Sequence, residues 1–408
     1  MAPVADHTTC SCASAARSNG LRIDSVPAAL LASAPMSILS ALLGVLVLLA
    51  PLAPPAAAQD SIAIGLMAPL TGAWASEGPE MRRAVELVAE GLNARGGVLR
   101  RKIELIVEDD GSDPRTAGPA AQKLVQQKVT AVIGTYGSAV TEAVQAIYDE
   151  AGIVHVANGS TAVRLTEKKL ARFFRVCPRD DEQGRVAVQA ILRRGARRVA
   201  ILHDNTAYGR GLATEVRTGL EPKGTKVVYF DGLVPGEPDY APVLAKIKAA
   251  GPDLVFFTGY YPEAGLLLRQ KAEMKWAVPV MGGDANSSSE LLTIAGKAAA
   301  GFSVVSPLLP EDLTAPGARA FLADYQRRFN APPVSIYAVL AGDALGVLAA
   351  AMQAAGTTEP DRVASALRSL TSYSGLTGPI SFDARGDRVG DVYRIYRVDA
   401  AGKFVLER

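Results

Sequence analysis

Residues 130–162 read TAVIGTYGSAVTEAVQAIYDEAGIVHVANGSTA. An apolar run, TAVIGTY (130–136), stops at a small polar turn. SAVTEAVQAIYDEAG (138–152) follows with apolar residues at helical spacing. A second apolar run, IVHVANG (153–159), ends in another small polar turn, NGSTA. Strand, helix and strand in about thirty residues form a βαβ unit, whose crossover makes its strands parallel.

The same alternation extends in both directions. Upstream lie a strand at 61–67, an amphipathic helix over 79–95 stopped by Gly96 and Gly97, a strand at 102–110 and a helix over 119–128. The pattern restarts after Cys177. Helices are predicted over 180–194, 208–222, 239–250 and 263–275, and strands at 197–204, 226–232, 253–260, 278–284 and 301–307. Helices dominate 315–370, notably VSIYAVLAGDALGVLAAAMQAAG (334–356), and the C-terminal stretch is strand-rich. The reading is an α/β chain with two lobes, each a mostly parallel sheet flanked by helices.

Composition sets limits. The 408 residues carry 43 Lys+Arg against 41 Asp+Glu, a net charge of +2 that offers no electrostatic case for a nucleic-acid partner. Hydrophobic residues make up 49%, enough for a large core. Three Cys and three scattered His (His7, His155, His203) give no disulfide scaffold and no metal centre. No cofactor is expected.

Ser25–Gln59 carries no charged residue. Within it ILSALLGVLVLLAPLA (38–53) precedes PPAAAQD, which reads as the apolar region and cleavage region of a secretory signal, with the cut after Ala58. The alternative is a transmembrane anchor of about 20 apolar residues, which Pro51, Pro54 and Pro55 oppose. Either Met1 or Met36 is the start. Cleavage removes Cys10 and Cys12 and leaves Cys177 alone, so the expected product is soluble, exported and free of internal disulfides.

In open α/β sheets, ligands bind beyond the carboxyl ends of the strands. Those ends here are small and polar: PLTGAWASEG, TYGSAVT, NGSTA, DNTAYG, TGYYPE and GGDANSSS. Ser138 is placed to cap the helix that follows, and free N–H groups there suit a carboxylate; the plainer alternative is that Ser138 only caps. Thr161 supplies a second donor-rich turn. Asp284 ends the strand VPVMGGD, where it either pairs with an ammonium or caps the helix beginning near Ser288. Tyr208 and Tyr260 either wall an apolar side chain or pack between lobes. Together these residues describe a clamp for an α-amino acid. Residues 59–408 hold no G-x-S-x-G, P-loop, H-E-x-x-H or C-x-x-C motif, and no enzyme is expected. His203 reads as a structural histidine, and Glu108, Asp109, Asp110 and Asp113 as a solvated loop or cap.

AVELVAEGLNARGGVLRRKIELIVEDDGSDP (84–114), VIGTYGSAVTEAVQAIYDEAGI (132–153), ILHDNTAYGRGLA (201–213), FFTGYYPEAG (256–265) and TGPISFDARGD (377–387) occur in the order and spacing of one family. Over nearly all of 60–400 the chain resembles periplasmic substrate-binding proteins of the leucine/isoleucine/valine-binding type, the receptors of branched-chain amino acid ABC transporters. The resemblance implies a type I, Venus-flytrap fold whose two lobes, joined by three crossovers, close on a ligand and present it to membrane permease subunits. It implies lobe one at 59–179 and 308–378, lobe two at 180–307 and 379–408, and a monomer. Ser138, with the backbone of Tyr136 and Gly137, matches the carboxylate site. The Gly159 carbonyl and Asp284 match the ammonium site, Thr161 a hydroxyl and amide donor, and Tyr208 and Tyr260 the aromatics that close over the ligand. Asp284 replaces a Glu. Glu77 stands at the first-lobe aromatic wall, with Trp74 three residues earlier to take over that wall. Ser112 and Gly137 occupy the positions of the family's first-lobe disulfide. Another solute (an amide, urea or an aromatic acid) or a sensory role are the alternatives.

Overall fold

The computed structural model describes residues 61–407. The apolar run at 38–53 and the proposed cut after Ala58 lie outside the described residues. Two sheets organise the rest. The first contains β1 (Ile62–Ala68), β2 (Ile103–Asp109), β3 (Ala131–Ile133), β4 (Val154–Ala157) and β5 (Phe173–Arg175), in the order β2-β1-β3-β4-β5 and all parallel. The second contains β6 (Arg198–His203), β7 (Lys226–Gly232), β8 (Leu254–Thr258), β9 (Val280–Gly282) and β10 (Ser303–Pro307). A separate hairpin, β11 (Tyr373–Gly375) with β12 (Gly378–Ile380), precedes β13 (Tyr393–Val398) and β14 (Phe404–Leu406). The second sheet runs β14-β13-β10-β9-β8-β6-β7, with β13 and β14 antiparallel to their neighbours.

The local chemistry explains the boundaries. Asp113 caps the helix Pro114–Gln126 by accepting from the Arg115 N–H, and proline at the first helical position needs no donor there. That helix begins five residues earlier than the apolar spacing suggests. β3 is shorter than its apolar run, because Gly134 takes φ +121° and an added Cβ would lie 2.0 Å from the Met67 carbonyl oxygen. The chain therefore leaves the sheet at Gly134 and delivers Thr135–Ser138 to its carboxyl edge.

The chain passes between the sheets three times: after β5, after β10 and after the β11–β12 hairpin. Between the second and third passes, helices Pro316–Phe329 and Ile336–Ala355 return to the first lobe. Tyr325 donates to Glu80 (2.6 Å), Arg328 pairs with Glu90, and the Asn158 amide donates to the Tyr337 carbonyl (3.0 Å). Ile336–Ala355 is long and apolar enough to cross a membrane, yet most of it is buried against the first lobe as a core helix.

Candidate functional site

The site is built from strand ends. β3 leads through Tyr136 into the helix Ser138–Glu150. The cap of this helix is Gly137, and Ser138 is its first residue and makes no cap hydrogen bond, which corrects the expected capping role. The Ser138 hydroxyl instead accepts from the Ala162 N–H (3.2 Å), tying the helix start to the turn after β4. Gly137 is required, since a Cβ there would meet the Trp74 ring at 2.5 Å. At Gly159 an added Cβ would lie 2.9 Å from the Tyr136 Cα. The Thr161 hydroxyl is buried and makes no well-formed hydrogen bond, although it lies close enough to Asp180 to favour that carboxylate.

Asp284 comes from the other lobe. It opens a 3₁₀ turn, Asp284–Asn286, and is 1% exposed. The expected alternative of a helix cap does not hold: Ser288 caps the helix Ser289–Ala295. Tyr208 donates to Asp284 Oδ1 (2.9 Å), Tyr393 approaches Oδ2 (3.4 Å), and the Asp284 N–H donates to Gln183 (3.1 Å). Burial raises its pKa against those hydrogen bonds. Gly283 admits the Tyr208 hydroxyl, which would lie 2.3 Å from an added Cβ.

Aromatic side chains join the two halves. Trp74 contacts Tyr260 (centroids 4.0 Å apart) and meets Tyr136 edge-on (5.6 Å); Tyr260 also meets Tyr136 (5.5 Å) and Tyr208 (5.4 Å), and Tyr136 meets Tyr337 (4.9 Å). Such pairs contribute about 0.5–1.5 kcal/mol each beyond area burial. The Tyr260 hydroxyl lies against the Ser138 backbone N–H. A hydrogen bond between Ser76 and Tyr261 (2.7 Å) also joins the two lobes.

Several contributors were missed in the sequence. Asp180 is fully buried at the first turn of Asp180–Arg193; its Oδ2 makes no well-formed hydrogen bond among the described residues, and burial and then the nearby Asp284 charge push its pKa well up. Sequence reasoning takes such an acid for helix-start chemistry. Arg175 is also fully buried. It donates to the carbonyls of Ser160 (3.1 Å) and Ala162 (2.9 Å), which flank Thr161, and pairs with Asp387 (2.5 Å) across the hinge. Its partner lies in the stretch TGPISFDARGD (377–387), which the sequence offered only as a family landmark. Glu77 is fully buried, with Oε2 bonded by Ser335 and Oε1 making no well-formed hydrogen bond among the described residues. Burial raises its pKa to about 7, opposed by hydrogen bonds from Ser335 and Ser288. His203 accepts from the Asn205 N–H, a structural role.

Residues 61–403 match the family described as periplasmic binding protein. The chain belongs to that family. This binding protein is 35% identical over 350 residues to Leu/Ile/Val-binding protein homolog 1 of Brucella abortus, covering 85% of this chain and 93% of that one. It is 34% identical over 340 residues to the leucine-, isoleucine-, valine-, threonine-, and alanine-binding protein of Pseudomonas aeruginosa, covering 83% and 90%. Among solved structures, the branched-chain amino acid transporter substrate-binding protein LivJ from Streptococcus pneumoniae, in complex with isoleucine, superposes with a TM-score of 0.79 at 27% identity, covering 85% of this chain and 99% of that one. The two-lobe, type I periplasmic-binding-protein fold is thereby established. Its relatives are substrate-binding proteins, and the family is periplasmic.

Proposed function

We propose that this protein is the exported receptor of an ABC importer, which holds an α-amino acid between its lobes and presents it to membrane permease subunits. One observation carries this reading. A helix N-terminus with a donor-rich turn, at Ser138 and Thr161, lies on one lobe and a buried acid, Asp284, on the other, and Tyr260 lies against the Ser138 amide and feels the Asp284 charge. The ligand carboxylate binds the Ser138 hydroxyl and the amides beside Tyr136 and Gly137, exchanging the Tyr260 contact for its own. Its ammonium lies between Asp284 and the Gly159 carbonyl, and Thr161 adds a hydroxyl and an amide. Tyr208, Tyr260 and Trp74 wall the side chain. Lobe one spans 59–179 and 308–378, and lobe two 180–307 and 379–408. The receptor acts as a monomer without catalysis, after cleavage following Ala58. Relatives named for leucine, isoleucine and valine support the amino acid class.

The test is a thermal-shift screen of residues 59–408 against amino acids, amides and aromatic acids. A bound ligand raises apparent stability by mass action. Stabilisation by amino acids is expected; stabilisation by neutral amides or aromatic acids alone would reject the reading.

A further inference from the structure

Glu77 stands where the family resemblance places an aromatic wall. The residue is fully buried at the start of the helix Glu77–Ala94. Its Oε2 is bonded by Ser335 and Ser288 lies close enough to favour the carboxylate, while Oε1 is buried and makes no well-formed hydrogen bond among the described residues. The Tyr136 hydroxyl is likewise buried and unpartnered among the described residues, and it feels the negative charge of both Glu77 and Asp284. Two acids, Glu77 and Asp284, thus act on Tyr136. Asp180, whose Oδ2 makes no well-formed hydrogen bond among the described residues, adds a third acid near Asp284. The charges acting most on Glu77, those of Glu80 and Glu290, are also negative. A buried acceptor left unmade costs about 1–3 kcal/mol, more when charged. An aliphatic ligand side chain against Glu77 would leave that cost in place, whereas a cation removes it and balances the charge.

We infer that the pocket selects an α-amino acid whose side chain ends in a cation, the ammonium of a diamino acid or the guanidinium of a guanidino acid, with Glu77 receiving that distal charge. This rests on the amino acid reading above, in which Asp284 holds the α-ammonium. Glu77 then determines specificity at the far end of the ligand, and Asp284 and Ser138 hold the end common to all amino acids.

The experiment is calorimetric titration of wild type, Glu77→Gln, Glu77→Leu and Asp284→Asn with lysine, ornithine, arginine, leucine, isoleucine, glutamine and the deaminated analogue of the tightest binder. Thermal unfolding confirms the fold, and Glu77→Gln keeps the side-chain volume should Glu77→Leu fail to fold. Wild type should bind a basic amino acid at least about tenfold tighter than leucine, a gap of about 1.4 kcal/mol. Glu77→Gln should lose about tenfold or more for the basic ligand and far less for leucine. Tighter binding of leucine or isoleucine than of any basic amino acid would overturn the inference, as would basic-ligand affinity unchanged in Glu77→Gln. Preference for glutamine would overturn it too, by making Glu77 a partner for a neutral amide. Leucine bound more tightly than any basic amino acid, with that binding lost in Asp284→Asn, would leave the amino acid reading intact while removing the distal cation. Equal binding of the deaminated analogue, or no binding of any amino acid, would remove both.

Discussion

The ring of Trp74 lies over that of Tyr260, with centroids 4.0 Å apart and planes inclined by 34°. Trp74 follows β1 in the first lobe and Tyr260 follows β8 in the second, so the pair spans the cleft. The Tyr260 hydroxyl reaches the Ser138 amide, the group proposed to bind the ligand carboxylate. Ligand entry and this contact are therefore in competition. Closure with ligand becomes an exchange of partners, biased by whatever binds both lobes.

Trp74 should report that exchange. The protein has two tryptophans, and the other, Trp276, is half-buried within the second lobe. Ligand should change the tryptophan emission of wild type, and Trp74→Phe should abolish most of that change. An undiminished change in Trp74→Phe would place the ligand away from this pair.

Ser138→Ala and Thr161→Ala should each weaken binding by about 1.5–3 kcal/mol, the range for hydrogen bonds to charged groups. Neither should cost a helix cap, since Gly137 is the cap and Ser138 makes no cap hydrogen bond. Calorimetry gives the affinities and thermal unfolding the stabilities; unaltered affinity in both variants would remove the carboxylate site.

Asp284→Asn keeps the shape of a fully buried side chain and removes its charge. Loss of one member of a desolvated charge pair costs about 2–5 kcal/mol. Amino acid affinity should fall by about one to three decades, with the deaminated analogue unaffected. A matching fall for both ligands would mean that Asp284 acts through packing.

The pH dependence of stability should carry the mark of Glu77. Its pKa rises from 4.5 in the ordinary state to about 7 when folded. Between those values the folded state binds more protons, so the associated stability is complete below about 4.5 and is lost as pH rises towards 7. The slope is at most about 1.4 kcal/mol per pH unit. His155, lowered by burial to about 4, works in the opposite sense, losing stability as pH falls. Comparing wild type with Glu77→Gln isolates the first effect: unfolding curves between pH 4.5 and 7.5 should show wild type losing ground to the variant as pH rises. Parallel curves would place the Glu77 titration elsewhere.

Asp387→Ala should be the most destabilising of these changes. It strips the fully buried Arg175 of its carboxylate partner. Breaking a buried pair this way costs about 3–5 kcal/mol. Arg175 also holds the carbonyls on either side of Thr161, so affinity should fall as well. Urea unfolding with a loss under about 1 kcal/mol would show that water compensates Arg175.

Much of this was legible in the residues. Strand–helix alternation, the stop at Gly96 and the polar strand ends all follow from spacing and backbone chemistry within a few positions. Those rules placed Ser138, Thr161 and Asp284 at the carboxyl edges of their sheets. The cap was misplaced by one residue, because Gly137 already adopts the extended cap geometry and frees the Ser138 hydroxyl for Ala162.

What surrounds those residues was decided by the three passes between lobes. Ser335 reaches Glu77 across 258 positions, Asp387 reaches Arg175 across 212, and Tyr393 reaches Asp284 across 109. Periodicity and capping act over one or two turns of chain, so the sequence by itself determines the elements and which of their ends are polar. Burial and charge depend on which distant elements cover an end, and only the tertiary structure turned Glu77 and Asp180 from ordinary helix-start acids into buried, incompletely paired carboxylates.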